Sequence, residues 1–168
     1  MAAPAILILG IGNPLLGDDG FGVEVVRRLK SRADLSAVEI LDGGACGVYL
    51  LPHLEGRSHI LVVDAIDFGG SPGRMIRLDC TQVPALLSLK LSEHQVTFHE
   101  VLALMELLNI KPKEFLFIGV QPKDSRWGAP LSPEVAASVA PVMEEIGGQI
   151  RDWENSAHAV SQCSPYPE

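Results

Sequence analysis

Four short apolar runs punctuate the chain: Ala5 to Gly10 (AILILG), Val38 to Asp42 (VEILD), His59 to Ile66 (HILVVDAI) and Glu114 to Val120 (EFLFIGV). The first, third and fourth are apolar almost without interruption, as strands are when helices cover both faces of a parallel sheet. Gly73 to Leu78 (GRMIRL) alternates polar with apolar instead and predicts a weaker, edge-like strand. Helical spacing fills the intervals. Phe21, Val25 and Leu29 repeat with Gly22 and Val26, and Glu24 with Arg28 makes an i,i+4 pair on the opposite side. A short helix is expected from Gly47 to Glu55, stopped by Gly56. A third opens in the capping box Thr97-Phe98-His99-Glu100 and carries Val101, Leu102, Met105 and Leu108 on one face. The last has Ser132 as N-cap, Pro133 in first position, and a stripe of Val135, Val139, Val142, Met143, Ile146, Ile150 and Trp153. Pro141 and Gly147-Gly148 are expected to kink or interrupt it.

Strands alternating with helices predict an α/β fold: a single-domain, three-layer sandwich with a twisted, mostly parallel five-stranded sheet and helices on both faces. The domain is expected over residues 1–155, and the polar stretch 156–168 as a flexible tail. A length of 168 residues fits one domain, and 47% apolar residues suffice for its core. With 13 Lys and Arg against 21 Asp and Glu, the net charge is -8, which argues against a broad nucleic-acid or anionic-membrane surface. The first residues carry no basic n-region and the first apolar run stops at Gly10, so a cytoplasmic location is expected. A monomer is expected as well. Three widely spaced cysteines, Cys46, Cys80 and Cys163, form neither a disulfide framework nor a thiolate metal motif.

Candidate chemistry gathers in the loops that follow the strands. Strand one runs into GIGNPLLGDDGFG, residues 10–22, which admits three readings. As a dinucleotide fingerprint it has Gly10 and Gly12 but Leu15 in place of the third glycine, and two aspartates where a phosphate would sit. Alternatively, Asp18 or Asp19 is an N-cap of the first helix. The second acid is then left to face a cation, the third reading. Asp64 interrupts the apolar third strand near its carboxyl end, where burial of a carboxylate is costly without a partner or a metal. Asp42-Gly43-Gly44 closes strand two in a turn that lets another chain approach. His94 stands in the loop leading to the third helix. A parallel sheet brings Asp19, Asp64 and His94 to one edge, and two carboxylates with an imidazole suit nickel, zinc, manganese or iron. His99, in the capping turn, is the one substitute ligand among the remaining histidines. No H-E-x-x-H or G-x-S-x-G motif is present.

The segments ILILGIGNPLLGDDGFGVEVVRRL, LDGGACGVYLLPHL, ILVVDAIDFGGSPG, LSEHQVTFHEVLALMELL and FLFIGVQP, in this order, resemble the hydrogenase maturation proteases. These are nickel-dependent endopeptidases that process the large subunit of nickel-iron hydrogenases. The resemblance spans Ala5 to about Trp153. It implies metal-binding and catalytic roles for Asp19 and Asp64, a metal-binding role for His94, and substrate recognition near Asp42, Gly43 and Gly44. Ala45 stands where many members have Thr, and Cys46 is not a nucleophile because the family is not a cysteine protease. The implied reaction removes a C-terminal extension from the precursor after nickel insertion. The resemblance implies that nickel arrives with the precursor, in which case the resting protein need hold no metal. Nickel would polarise the scissile carbonyl or activate a water, and either carboxylate is eligible as the base. Two other functions compete: a docking factor that inspects nickel loading without cleavage, and a dinucleotide-binding domain.

Overall fold

A computed structural model describes residues 5–32, 35, 38–79, 82 and 93–160, with the side chains of all of these except 93–97 and 157–160. Five strands form one sheet: β1 (Ile6–Ile11), β2 (Glu39–Gly44), β3 (His59–Ala65), β4 (Met75–Asp79) and β5 (Glu114–Val120). Their order is β2-β1-β3-β5-β4. The pairs β1 with β2, β1 with β3 and β3 with β5 are parallel, and β4 is antiparallel to β5. The helices are α1 (Phe21–Leu29), α2 (Leu51–Leu54), α3 (Glu93–Leu107) and α4 (Pro133–Val160). The chain leaves β3 and reaches β4 through 66–74 alone, too short for the helical crossover that a parallel partner needs, so β4 turns back along the edge.

Side chains that alternate across each strand sort the core into two halves. Ile6, Ile8, Leu61, Val63, Leu116 and Ile118 face α1 and α4. Leu7, Leu9, Ile60, Val62, Phe115 and Phe117 face the other way, onto Leu54 and the α3 residues Phe98, Val101 and Met105. The expected three-layer sandwich is therefore present, with β1, β3 and β5 buried on both faces and β4 half exposed.

The helices depart from expectation in three places. The segment expected as one helix from Gly47 is a 3-10 turn, Gly47–Leu50, followed by α2, because Pro52 lacks an amide and favours the start of a helix over its interior. Helix α3 begins at Glu93, a turn before the expected capping box; nothing between Glu93 and Thr97 is a glycine or proline, and Thr97 and Glu100 also stand one turn apart inside a helix. Leu108, expected on its apolar face, lies beyond its end and is exposed. Helix α4 starts at Pro133 as expected but is continuous through Pro141 and Gly147-Gly148. Pro141 and Ala137, whose carbonyl loses its donor, are exposed, while Val139, Val142, Ile146, Ile150 and Trp153 bury the other side. The same helix runs past the expected boundary at Asn155 to Val160; residues 161–168 lie outside the described residues.

Candidate active site

The parallel strands end at one edge of the sheet, where open α/β folds build their sites. After β1 the chain enters a 3-10 turn, Gly17–Gly20, that holds both Asp18 and Asp19. Neither caps α1: the N-cap is Gly20 and no side chain bonds there, which corrects the N-cap expectation. Asp18 is fully buried. Its Oδ2 accepts the amides of Lys123 at 2.8 Å and Asp124 at 2.9 Å and the Ser132 hydroxyl at 2.9 Å, and its Oδ1 accepts the Ser132 amide at 2.6 Å. It ties the loop after β1 to the loop between β5 and α4. Asp19, also buried, accepts the Asn13 amide at 2.9 Å through Oδ2.

Gly12 lies between the Asp19 backbone and the Asp64 side chain. At Gly12 (φ +125) a Cβ would fall on the Asp19 carbonyl oxygen and come within 3.5 Å of Asp64 Oδ1. At Gly22 a Cβ would fall on the carbonyl oxygens of Val63 and Ile11, so this glycine lets the start of α1 rest directly on β1 and β3. The glycines that suggest a dinucleotide fingerprint serve backbone packing, and the space a pyrophosphate would need is taken by the turn that carries Asp19.

Asp64 is the penultimate residue of β3 and fully buried. Strand alternation puts it on the same face as Ile60 and Val62, the face that α3 covers. Helix α3 rises about 22 Å over its length. Its end connects through 108–113 to the start of β5, and its body packs on the Gly47–Leu50 turn after β2, so it begins at the carboxyl edge. His94 therefore occupies the first turn of α3 rather than the loop before it, on the face and edge that hold Asp64. The His94 side chain lies outside the described residues. Among the described residues no three metal-binding side chains cluster.

The Asp42-Gly43-Gly44 block joins this edge through the backbone: the Gly12 amide donates to the Gly44 carbonyl at 2.9 Å. Asp42 itself accepts Arg27 Nε at 3.0 Å and the Gly44 amide at 3.2 Å, which fixes the turn against α1. His99 is exposed and lines a cavity of about 470 Å³ with Met105, Lys113 and Phe115, at the amino end of β5 and away from Asp64. Cys46 is an exposed free thiol; Cys80 and Cys163 lie outside the described residues. One organising residue escaped the sequence reading. Buried Gln121 accepts the amides of Phe68 and Gly70 at 3.0 Å and donates to Asp67 at 3.1 Å, bracing the loop just after Asp64. Its signal is the polar residue that ends an apolar run, the same signal that Asp64 gives.

A family model described as hydrogenase maturation protease matches residues 23–149. The hydrogenase expression/formation protein HupD of Bradyrhizobium diazoefficiens is 42% identical over 151 residues, 88% of this chain and 79% of the relative. The hydrogenase 2 maturation protease of Escherichia coli is 38% identical over 149 residues, 88% of this chain and 91% of the relative. Among solved structures, the hydrogenase maturating endopeptidase HybD from E. coli superposes with a TM-score of 0.81 at 36% identity, covering 88% of this chain and 92% of that one. The [NiFe] hydrogenase maturation protease HybD from Thermococcus kodakarensis gives 0.74 at 28% identity, covering 86% and 97%. With this fold, the family model over residues 23–149 and these relatives, the chain belongs to the hydrogenase maturation protease family.

Proposed function

We propose that this endopeptidase of hydrogenase maturation removes the C-terminal extension of a nickel-iron hydrogenase large-subunit precursor once nickel has been inserted. The observation that carries the reading is that two buried aspartates, Asp19 and Asp64, are both next to Gly12, Asp19 through its backbone and Asp64 through its side chain, at the carboxyl edge where the first turn of α3 carries His94. Two hard oxygen donors and an imidazole are a donor set that nickel accepts, and Gly12 keeps the backbone after β1 close to Asp64, whose Oδ1 lies 3.5 Å from where a Cβ at Gly12 would stand. In this reading Asp19, Asp64 and His94 complete the coordination of a nickel ion that the precursor already holds. The ion supplies Lewis acidity toward the scissile carbonyl or a water. Asp19 is held for that contact by the Asn13 amide, and Asp64 by its place in a strand buried on both faces. Either carboxylate then serves as the proton acceptor. Asp42, Gly43 and Gly44 flank the path of the substrate chain and hold Gly12 in register.

The exposed Cys46 thiol suits a reducing compartment, and the protein is read as a cytoplasmic monomer that carries no nickel of its own at rest. No helix among the described residues is long and apolar enough to cross a membrane. The test is incubation with a nickel-loaded precursor followed by intact-mass measurement of the large subunit. Loss of one C-terminal peptide is expected with the wild type. In Asp64→Asn and His94→Ala the rate should fall at least about 100-fold, since metal-assisted charge stabilisation is worth several kcal/mol. An unchanged precursor mass with the wild type refutes the reading.

A further inference from the structure

Among the described residues seven large apolar side chains are exposed, and five of them sit at the carboxyl edge of the sheet: Leu15, Val48, Tyr49, Trp127, and Met75 opposite the end of β5. Scattered exposed apolar residues are ordinary, but a concentration around a site marks a contact surface. Trp127, at 73% exposure, is the largest of them, and Leu15 lies beside it, because the Gly128 amide donates to the Leu15 carbonyl at 2.8 Å. Their two loops are held together from below. The Asp18 carboxylate binds the amides of Lys123 and Asp124, and the Asp18 amide donates to the Asp124 carbonyl at 2.9 Å. An aromatic group on a loop tied this closely to a buried carboxylate is preorganised for contact, with less entropy to lose on binding than a free tip. Charge around it is already neutralised: Arg126 pairs with Asp124 at 2.6 Å and Lys123 with Glu134 at 2.5 Å. The surface thus offers apolar area rather than a charge to match. Asp18, which ties the two loops together, is followed directly in the chain by Asp19, and Tyr49, 82% exposed, stands in the turn after β2 at the same carboxyl edge.

We infer that Trp127 and Leu15 form an anchor for an apolar side chain of the precursor's C-terminal segment beside the scissile bond, with Tyr49 contacting the same segment on the far flank. The inference rests on the proposed reaction. Tryptophan is the residue type most enriched among the few that dominate binding at interfaces, and truncating such a residue costs tenfold or more in affinity.

The experiment compares steady-state processing of nickel-loaded precursor by the wild type, Trp127→Ala, Trp127→Phe, Leu15→Ser and, as a control at the opposite edge, Leu107→Ala. Trp127→Ala is expected to raise KM about tenfold or more with kcat within about twofold. Trp127→Phe should recover most of the loss, Leu15→Ser should raise KM severalfold, and Leu107→Ala should match the wild type. All should keep the wild-type melting temperature, since these side chains are exposed. Wild-type cleavage with unchanged KM in both Trp127→Ala and Leu15→Ser overturns the anchor and leaves the proposed reaction standing. Absence of wild-type cleavage overturns both. A fall in kcat alone overturns the anchor as well, because it places Trp127 in the chemical step.

Discussion

Asp18 and Asp19 are adjacent and chemically identical, yet their environments assign them different work. Four donors converge on Asp18, from residues 123, 124 and 132, so its carboxylate is the acceptor on which three stretches of chain agree. Removing it strands those donors in a buried place, and each unsatisfied buried group costs about 1–3 kcal/mol. Asp18→Ala is therefore expected to destabilise the protein by about 3 kcal/mol or more, read as a lower denaturant midpoint at unchanged m-value. A midpoint within experimental error of the wild type would show that water replaces the carboxylate there. Asp64→Asn, by contrast, is expected to leave stability close to the wild type or raise it, since it removes a buried charge while keeping the shape. The sequence shows two acids at a strand-helix junction and a third in an apolar strand, which suffices to nominate them. It does not separate Asp18 from Asp19, because what separates them is donated from more than a hundred residues away in the chain. Asp42 was legible as a turn residue, but its bond to Arg27 depends on how α1 lies across β2.

At the level of elements, the site depends on how closely α1 approaches the sheet. Gly22→Ala would drive a methyl group onto the Val63 and Ile11 carbonyls, which are held in the sheet and have little room to give. Overpacking of this kind costs about 1–3 kcal/mol. The variant should unfold at lower denaturant and lose processing beyond what its stability explains, since Asp19 sits on the turn that opens α1. Processing at the wild-type rate would contradict this. At the other end of β3, the His59 ring packs tilted against Trp153 of α4, with ring centroids 4.9 Å apart, and lies near Glu114. Burial lowers its pKa below 6.5, outweighing the attraction of Glu114, and Lys113 adds to the lowering. A histidine held neutral in the fold contributes stability that is present above pH 6.5 and is lost as pH falls through the lower folded value. Melting temperatures of the wild type should accordingly fall more steeply below pH 6.5 than those of His59→Gln; parallel pH profiles would contradict the assignment. Strand and helix identities were legible because apolar continuity and the 3.6 period survive without tertiary knowledge. The start of α3 and the continuity of α4 were not. A capping pattern inside a helix looks the same as one at its end, and a proline is tolerated where the opposite face is deeply buried.

For the whole molecule, strand order is what turns separate motifs into a site. With β1 and β3 adjacent and parallel, the residues after their carboxyl ends must lie side by side, and the crossover through α3 returns the chain to β5 from that same edge. Alternating strands and helices made the parallel sheet legible, and with it the placement of the turn with Asp19, the end of β3 with Asp64 and the first turn of α3 at the carboxyl edge. The antiparallel direction of β4 follows from a link, 66–74, too short for a helix. The net charge is -8, and among the described residues the buried acids are Asp18, Asp19 and Asp64. The proposed function requires this edge to recognise nickel in the precursor and to cleave only then. The most direct measurement is the intact mass of the large subunit after incubation with the wild-type protein, using matched nickel-loaded and nickel-free precursors. The account predicts loss of a single C-terminal peptide from the nickel-loaded precursor alone, and none with Asp64→Asn. Equal cleavage of both precursors, or of neither, would contradict it.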